Sequence, residues 1–274
     1  MDTEKIVLKD MLCRLLEDTY DSIKPYINFS ISIVPKELKS KHGHYIPNDR
    51  KIEIFNLARP PGCTMLTCIH ELAHHVEFMD LGETGHKKSF YSRFHGLLLS
   101  ALSHGFVVPK DLEDDAKDSK DYKKLVGYFG DIEFWDYEVT EEAKKRFVFV
   151  FNEYHQREEL KQRGYKYFKK SQAWGKEYPN PLYANREAKL LQNTFETMDI
   201  GVVSQATTLF TLNYYIAVPG AYGEKELLKQ HGYRWGAYGI KGTWVKKVPT
   251  SSFYYEEAFL KDSRLVFTKV TPKM

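Results

Sequence analysis

The chain has 274 residues, 42% hydrophobic and 15% aromatic, with a net charge of +3. That is enough apolar material for one large or two smaller cored domains, and it excludes a largely disordered chain. The charge is uneven: residues 1–144 carry 19 Lys/Arg against 25 Asp/Glu and residues 145–274 carry 21 against 12, so an acidic first half joins a basic second half.

The opening MDTEKIVLKD is charged and lacks the apolar run of a secretory signal. Residues 3–23 place Ile6, Leu8, Met11, Leu15, Leu16 and Tyr20 close to helical spacing. Cys13 lies in this segment and Cys63 and Cys68 lie further on. An odd, low cysteine count with no paired framework points to a reducing, intracellular compartment. INFSISIVP alternates from Ile27 to Val34 and reads as a strand ending at Pro35. In HYIPNDRKIEIFNL a Pro-Asn-Asp turn leads into a second alternating strand, KIEIFNL. RPPGC breaks the chain, and a helix is predicted from about Thr64 or Met65 to Met79, with Gly82 as its stop.

That helix carries HELAHH, residues 70–75. At roughly 100° per residue, His74 falls about 40° from His70, so both rings leave one face a turn apart. Met65, Ile69, Leu72, Ala73, Val76 and Met79 gather on the opposite face, which can pack into a core. Two neutral imidazoles at this spacing suit Zn²⁺, and Glu71, about 100° round, suits a general base for a water in the open fourth position. His75 points away from such a metal. The third ligand is expected to be His86, at the start of a second helix whose apolar face is Phe90, Phe94, Leu97, Leu98 and Ala101; Glu77 and Glu83 are the other candidates. One zinc per chain is expected.

TCIHELAHHVEF followed by GHKKSFYSRF resembles the SprT-like zinc metallopeptidases, which show HExxH, a short turn, then a third histidine beside a glycine with an aromatic a few residues on. The matching positions are His70, Glu71, His74, Gly85, His86 and Phe90, and the resemblance covers residues 1–105. The chain departs from the family in placing Gly85 before the third histidine and a bulky His75 after the second. The resemblance implies a gluzincin-like (minigluzincin) α+β peptidase domain. Some members of the family process DNA-bound proteins, and others come from phage and mobile elements.

Residues 106–144 are highly charged and are expected to form a connector, with Trp135 and Tyr137 as contacts should it act as a lid. A repeat follows. Leu160-Lys161-Gln162-x-Gly164-Tyr165 matches Leu228-Lys229-Gln230-x-Gly232-Tyr233 at an offset of 68. After a two-residue insertion, Trp174, Lys176 and Pro179 match Trp244, Lys246 and Pro249, and Glu187, Ala188 and Leu190 match Glu257, Ala258 and Leu260. Two tandem α+β modules are therefore expected, at 145–198 and 213–272, each a strand, a short helix, an aromatic hairpin and a helix. Tyr167, Trp174, Trp235 and Trp244 would supply their cores. The longest uncharged stretch, IGVVSQATTLFTLNYYIAVPGAYG from Ile200, carries Ser, Gln, Thr and Asn throughout, so no membrane span is expected. LKQHGYRWGAYGIKGTW is loosely similar to the HARP-type DNA-binding repeat. Lys166, Lys169, Lys170, Lys176, Arg234, Lys241, Lys246 and Lys247 flank the aromatic hairpins and are candidate phosphate contacts for DNA or RNA.

These features converge on a zinc endopeptidase that acts on a protein substrate, with C-terminal modules recruiting nucleic acid or that substrate. The alternatives are an ImmA/IrrE-like peptidase that cleaves a repressor, favoured by a carboxylate third ligand, and a non-catalytic zinc-containing binding protein.

Overall fold

The computed structural model describes residues 2–34, 41–55, 61–116, 120–151, 155–168, 173–195, 199–204, 213–249 and 253–270. The fold is mixed α+β. Its contacts divide it into two compact units, Met1–Ala143 and Lys144–Met274. Among the described residues no helix is long and apolar enough to cross a membrane.

The first unit begins with α1 (Asp2–Thr19), which buries Leu8, Met11, Leu12, Leu15 and Leu16. Ile6, expected on that face, is instead exposed, because the buried stripe runs through Leu12. The sheet has three strands: β1 (Ser30–Val34), β2 (Gly43–Ile46) and β3 (Lys51–Phe55), in the order β1-β3-β2. β1 runs parallel to β3 and β2 pairs with it antiparallel. The Pro-Asn-Asp turn thus joins a hairpin, with Arg50 N–H closing it onto Pro47 O at 3.0 Å. β2 lies at the sheet edge.

The motif helix α2 (Pro61–Leu81) starts earlier than its apolar periodicity indicates. Pro61 opens it because proline lacks the N–H that a first turn cannot use and has a φ already suited to it. Gly82, at φ +73°, ends it by donating its N–H to Phe78 O. Met65, Ile69, Leu72, Ala73 and Val76 are all buried. α2 packs on α3 (Lys88–Ser103), whose buried face is Phe90, Phe94, Leu97, Leu98 and Ala101.

The charged segment after residue 105 belongs to this same unit. It forms α4 (Pro109–Ala116), α5 (Lys120–Phe129) and α6 (Glu141–Lys144), with α4 against α2 and α5 against α3. Trp135, suggested as a lid contact, is buried edge-on to His95 and donates its indole N–H to Gly130 O.

The second unit contains two four-stranded sheets of one design. The first runs β4 (Arg146–Phe151), α7 (Arg157–Gln162), β5 (Lys166–Phe168), β6 (Ala173–Tyr178), α8 (Pro181–Thr194) and β7 (Asp199–Ser204), with strand order β5-β6-β4-β7. The second runs β8 (Asn213–Val218), α9 (Lys225–Gln230), β9 (Arg234–Trp235), β10 (Trp244–Pro249), α10 (Phe253–Asp262) and β11 (Thr268–Val270), with order β11-β8-β10-β9. Reading either sheet from its hairpin edge gives the same succession. Registers agree as well: Trp174 pairs with Val150 and Tyr167, and Trp244 with Val218 and Trp235. Gly164 and Gly232, at φ +83° and +82°, both follow the short helix, where an αL conformation favours glycine. The fourth strand of each sheet, β7 and β11, escapes the sequence pattern.

Two expectations need correction here. The last helices correspond at an offset of 69, one less than the sequence match implies. Leu190 is 51% exposed, whereas Leu191 and Leu260 are the buried pair. Glu187 lies by Tyr165 as Glu256 accepts from Tyr233 Oη. The second correction concerns the aromatics. Trp244 is buried and Trp174 half-buried, but Tyr167 and Trp235 are 50% and 51% exposed, because they sit on the edge strands β5 and β9.

Candidate metal centre

α2 sets the site. His70 and His74 project from one face, and the turn after Gly82 returns the chain so that His86 faces them. The Nε2 atoms of His74 and His86 each lie 3.2 Å from His70 Nε2. The three histidines form a group able to hold a metal ion, their ligand atoms all within 4.8 Å of one another. His86 precedes α3 by two residues rather than opening it. Burial holds the imidazoles of His70 and His74 well below their usual range, and in His74 the neighbouring His70 and His86 push the same way. Neutral rings with convergent nitrogens are what a divalent cation requires, so the donor set fits a metal such as zinc.

Glu71 is 7% exposed and lines the same cleft. Burial raises its carboxyl to about 7, against the opposing pull of the Tyr45 backbone amide that hydrogen-bonds to it. Gly43 on β2 makes this seat. A Cβ there would stand 2.6 Å from Thr67 Cγ2 and 3.0 Å from Glu71 Cγ and Oε1.

Neither rival third ligand is placed to bind the ion. Glu83 is exposed and pairs with Lys87 at 3.5 Å. Glu77 is buried, with Thr84, Gly85 and Ser89 donating to its carboxylate. His75 is fully buried. It accepts at Nδ1 from Tyr45 Oη and donates from Nε2 to Tyr26 O, both at 2.9 Å, and so ties the back of α2 to β2 and to the chain before β1.

The site also uses residues that carry no motif signal. Thr84 Oγ1 lies 2.7 Å from His74 Nδ1. Asp121, on α5, places Oδ2 3.7 Å from His70 Nδ1 and accepts from Tyr91 Oη at Oδ1. Leu66, Leu112 and Leu125, from α2, α4 and α5, line the cleft, and β2 supplies Gly43, His44 and Tyr45. Its volume is about 870 Å³.

The basic candidates of the second unit divide. Lys166, Arg234 and Lys241 are exposed. Lys169 and Lys170 lie outside the described residues. Lys176 and Lys246, expected to be free for phosphate, are half-buried and engaged within their own modules. Lys176 donates to Arg163 O at 2.7 Å and Lys246 pairs with the buried Glu256. Each ammonium also lies over the tyrosine after the glycine cap, Tyr165 or Tyr233. Lys247 is half-buried, and desolvation lowers its ammonium below the usual lysine range.

Comparison of the chain with protein-family models, with curated proteins and with solved structures finds no match.

Proposed function

We propose that this chain is a zinc-dependent endopeptidase of the SprT-like, gluzincin kind. The observation that carries the reading is the convergence of three histidine nitrogens beside a buried glutamate in an open cleft. His70, His74 and His86 hold the metal. When bound, it supplies Lewis-acid polarisation of the scissile carbonyl and acidifies water. Glu71 takes the proton of the attacking water and passes it to the leaving amine. Its carboxylate, buried in the wall of the same cleft, is placed to accept that proton and return it. β2, a sheet edge at the cleft rim, offers backbone groups to an extended peptide. The cleft favours catalysis over a closed structural metal, and a histidine third ligand favours this reading over the ImmA/IrrE-like one.

The purified chain should carry about one zinc, and His86→Ala should lose most of it, as measured by metal analysis after dialysis. Full retention would remove His86 from the ligand set. Digestion of candidate protein substrates with and without DNA tests the activity itself.

For the second unit, we propose a duplicated module that recruits nucleic acid. The supporting observation is that both copies leave a large aromatic half-exposed at the same register position, Tyr167 and Trp235, each preceded by an exposed cation, Lys166 and Arg234. Exposed rings give bases a surface to stack on, and the cations suit phosphate. In the full chain, replacing Lys166 and Arg234 with Ala should weaken binding and flatten the slope of log K against log salt by about 0.7–0.9 per lost phosphate contact. Absence of measurable affinity for single- or double-stranded DNA or RNA at low salt would reassign these surfaces to a protein partner.

A further inference from the structure

Glu77 lies one turn beyond His74 on α2 and is 2% exposed. A carboxylate at such a depth needs donors, and three are present. Oε2 accepts the Thr84 hydroxyl at 3.0 Å and the Gly85 amide at 2.9 Å, while Oε1 accepts the Ser89 hydroxyl. All three donors come from the turn that carries His86 and from the first turn of α3.

Following the protons fixes the state of His74. A threonine hydroxyl has one hydrogen, and here Glu77 receives it. Toward His74 Nδ1, 2.7 Å away, the Thr84 oxygen can therefore only accept. His74 Nδ1 must hold the ring's proton, which leaves the lone pair on Nε2, the nitrogen directed at His70 Nε2. Gly85, whose amide the same carboxylate holds, is the residue before His86.

We propose that Glu77 and Thr84 are positioning residues for the metal centre. Through one hydroxyl they lock His74 in the tautomer that presents Nε2, and through the Gly85 amide Glu77 seats His86 beside it. The inference rests on the metal-site reading above, but its first half concerns the protein's own protons and can be read without a metal. Its logic is that of outer partners which fix the orientation and tautomer of a ligating histidine and whose loss weakens metal affinity about 10–100-fold.

The test uses the full chain with Zn²⁺ alone as ligand. Nitrogen-15 NMR of the metal-free protein should show His74 with Nδ1 protonated and Nε2 bare. Thr84 is only half-buried, so Thr84→Val should fold; it should release the tautomer and weaken zinc about 10–100-fold in a chelator competition. Thr84→Ser, which keeps the hydroxyl, should restore both readouts, a rescue that a purely steric role for Thr84 would not give. Glu77→Gln is the harsher change, since a buried amide would present a donor where oxygen now accepts; it should weaken zinc at least as much. The proposal is overturned if Thr84→Val keeps both the wild-type tautomer signals and the wild-type zinc affinity. A wild-type chain that binds no zinc yet shows His74 locked would instead sink the metal reading and leave the tautomer lock supported.

Discussion

Glu71→Gln should leave the chain folded and its zinc content unchanged while peptide cleavage falls by about 10²–10⁴-fold, the usual range for removing a positioned proton acceptor. The substitution preserves the size of a side chain seated beside Gly43, so a loss of structure is not expected to confuse the result. The comparison to make is cleavage rate against bound zinc in the same preparation. If the variant cleaves as fast as the parent, Glu71 is not the base, and the activity comes from another residue or another protein.

Trp244→Ala should destabilise the second unit by about 3–5 kcal/mol, the cost of emptying a large aromatic site in a core. Its ring is 5% exposed and sits on β10 between β8 and β9, edge-on to Trp235 at 5.4 Å. Among the described residues the buried indole nitrogen of Trp244 has no hydrogen-bond partner, and Trp244→Phe keeps most of the ring's buried volume, so it should cost much less. Trp235→Ala, on the half-exposed edge, should change stability little while weakening any ligand that stacks there. Urea unfolding of the full chain separates these outcomes. Equal, small effects for Trp244→Ala and Trp235→Ala would show that the hairpin is not anchored by Trp244.

The contrast between those two tryptophans shows where sequence reasoning stopped. Alternation along a strand tells which residues share a face, and in the structure Tyr167 lies opposite Trp174 and Trp235 opposite Trp244. It does not tell whether that face is covered, which depends on a strand's lateral place in the sheet. β5 and β9 are edges, so half of each ring stays in solvent. The motif helix was legible because one apolar stripe and two histidines a turn apart fit one period. Residues 106–144 read as a charged connector because α4 and α5 are short and mostly polar; only packing shows that Leu112, Leu125 and Asp121 line the cleft of the three histidines. Thr84 and Glu77 were equally hidden. Glu77 reads as a candidate ligand and Thr84 carries no motif signal, and their connection runs through a hydroxyl proton that no spacing rule contains. The one-residue slip in the last helix of the modules had a different origin. The sequence offered Glu256 and Glu257 in succession, and only the Tyr233 contact chooses between them.

Gly43 has a bearing on lineage. A side chain of any size at that position would press a carbon on Thr67 and Glu71 and force them to shift, so the seat of Glu71 depends on this glycine. HExxH is too short to identify distant kin by itself. A descendant of the same ancestor should nevertheless keep a glycine on the strand facing its motif helix, two residues before a tyrosine that reaches the helix's rear histidine, as Tyr45 reaches His75. That trace lies nearly thirty residues upstream of the histidines, where no ligand pattern would direct attention, and it offers genome surveys a second, independent criterion for telling true relatives from chance occurrences of the pentapeptide.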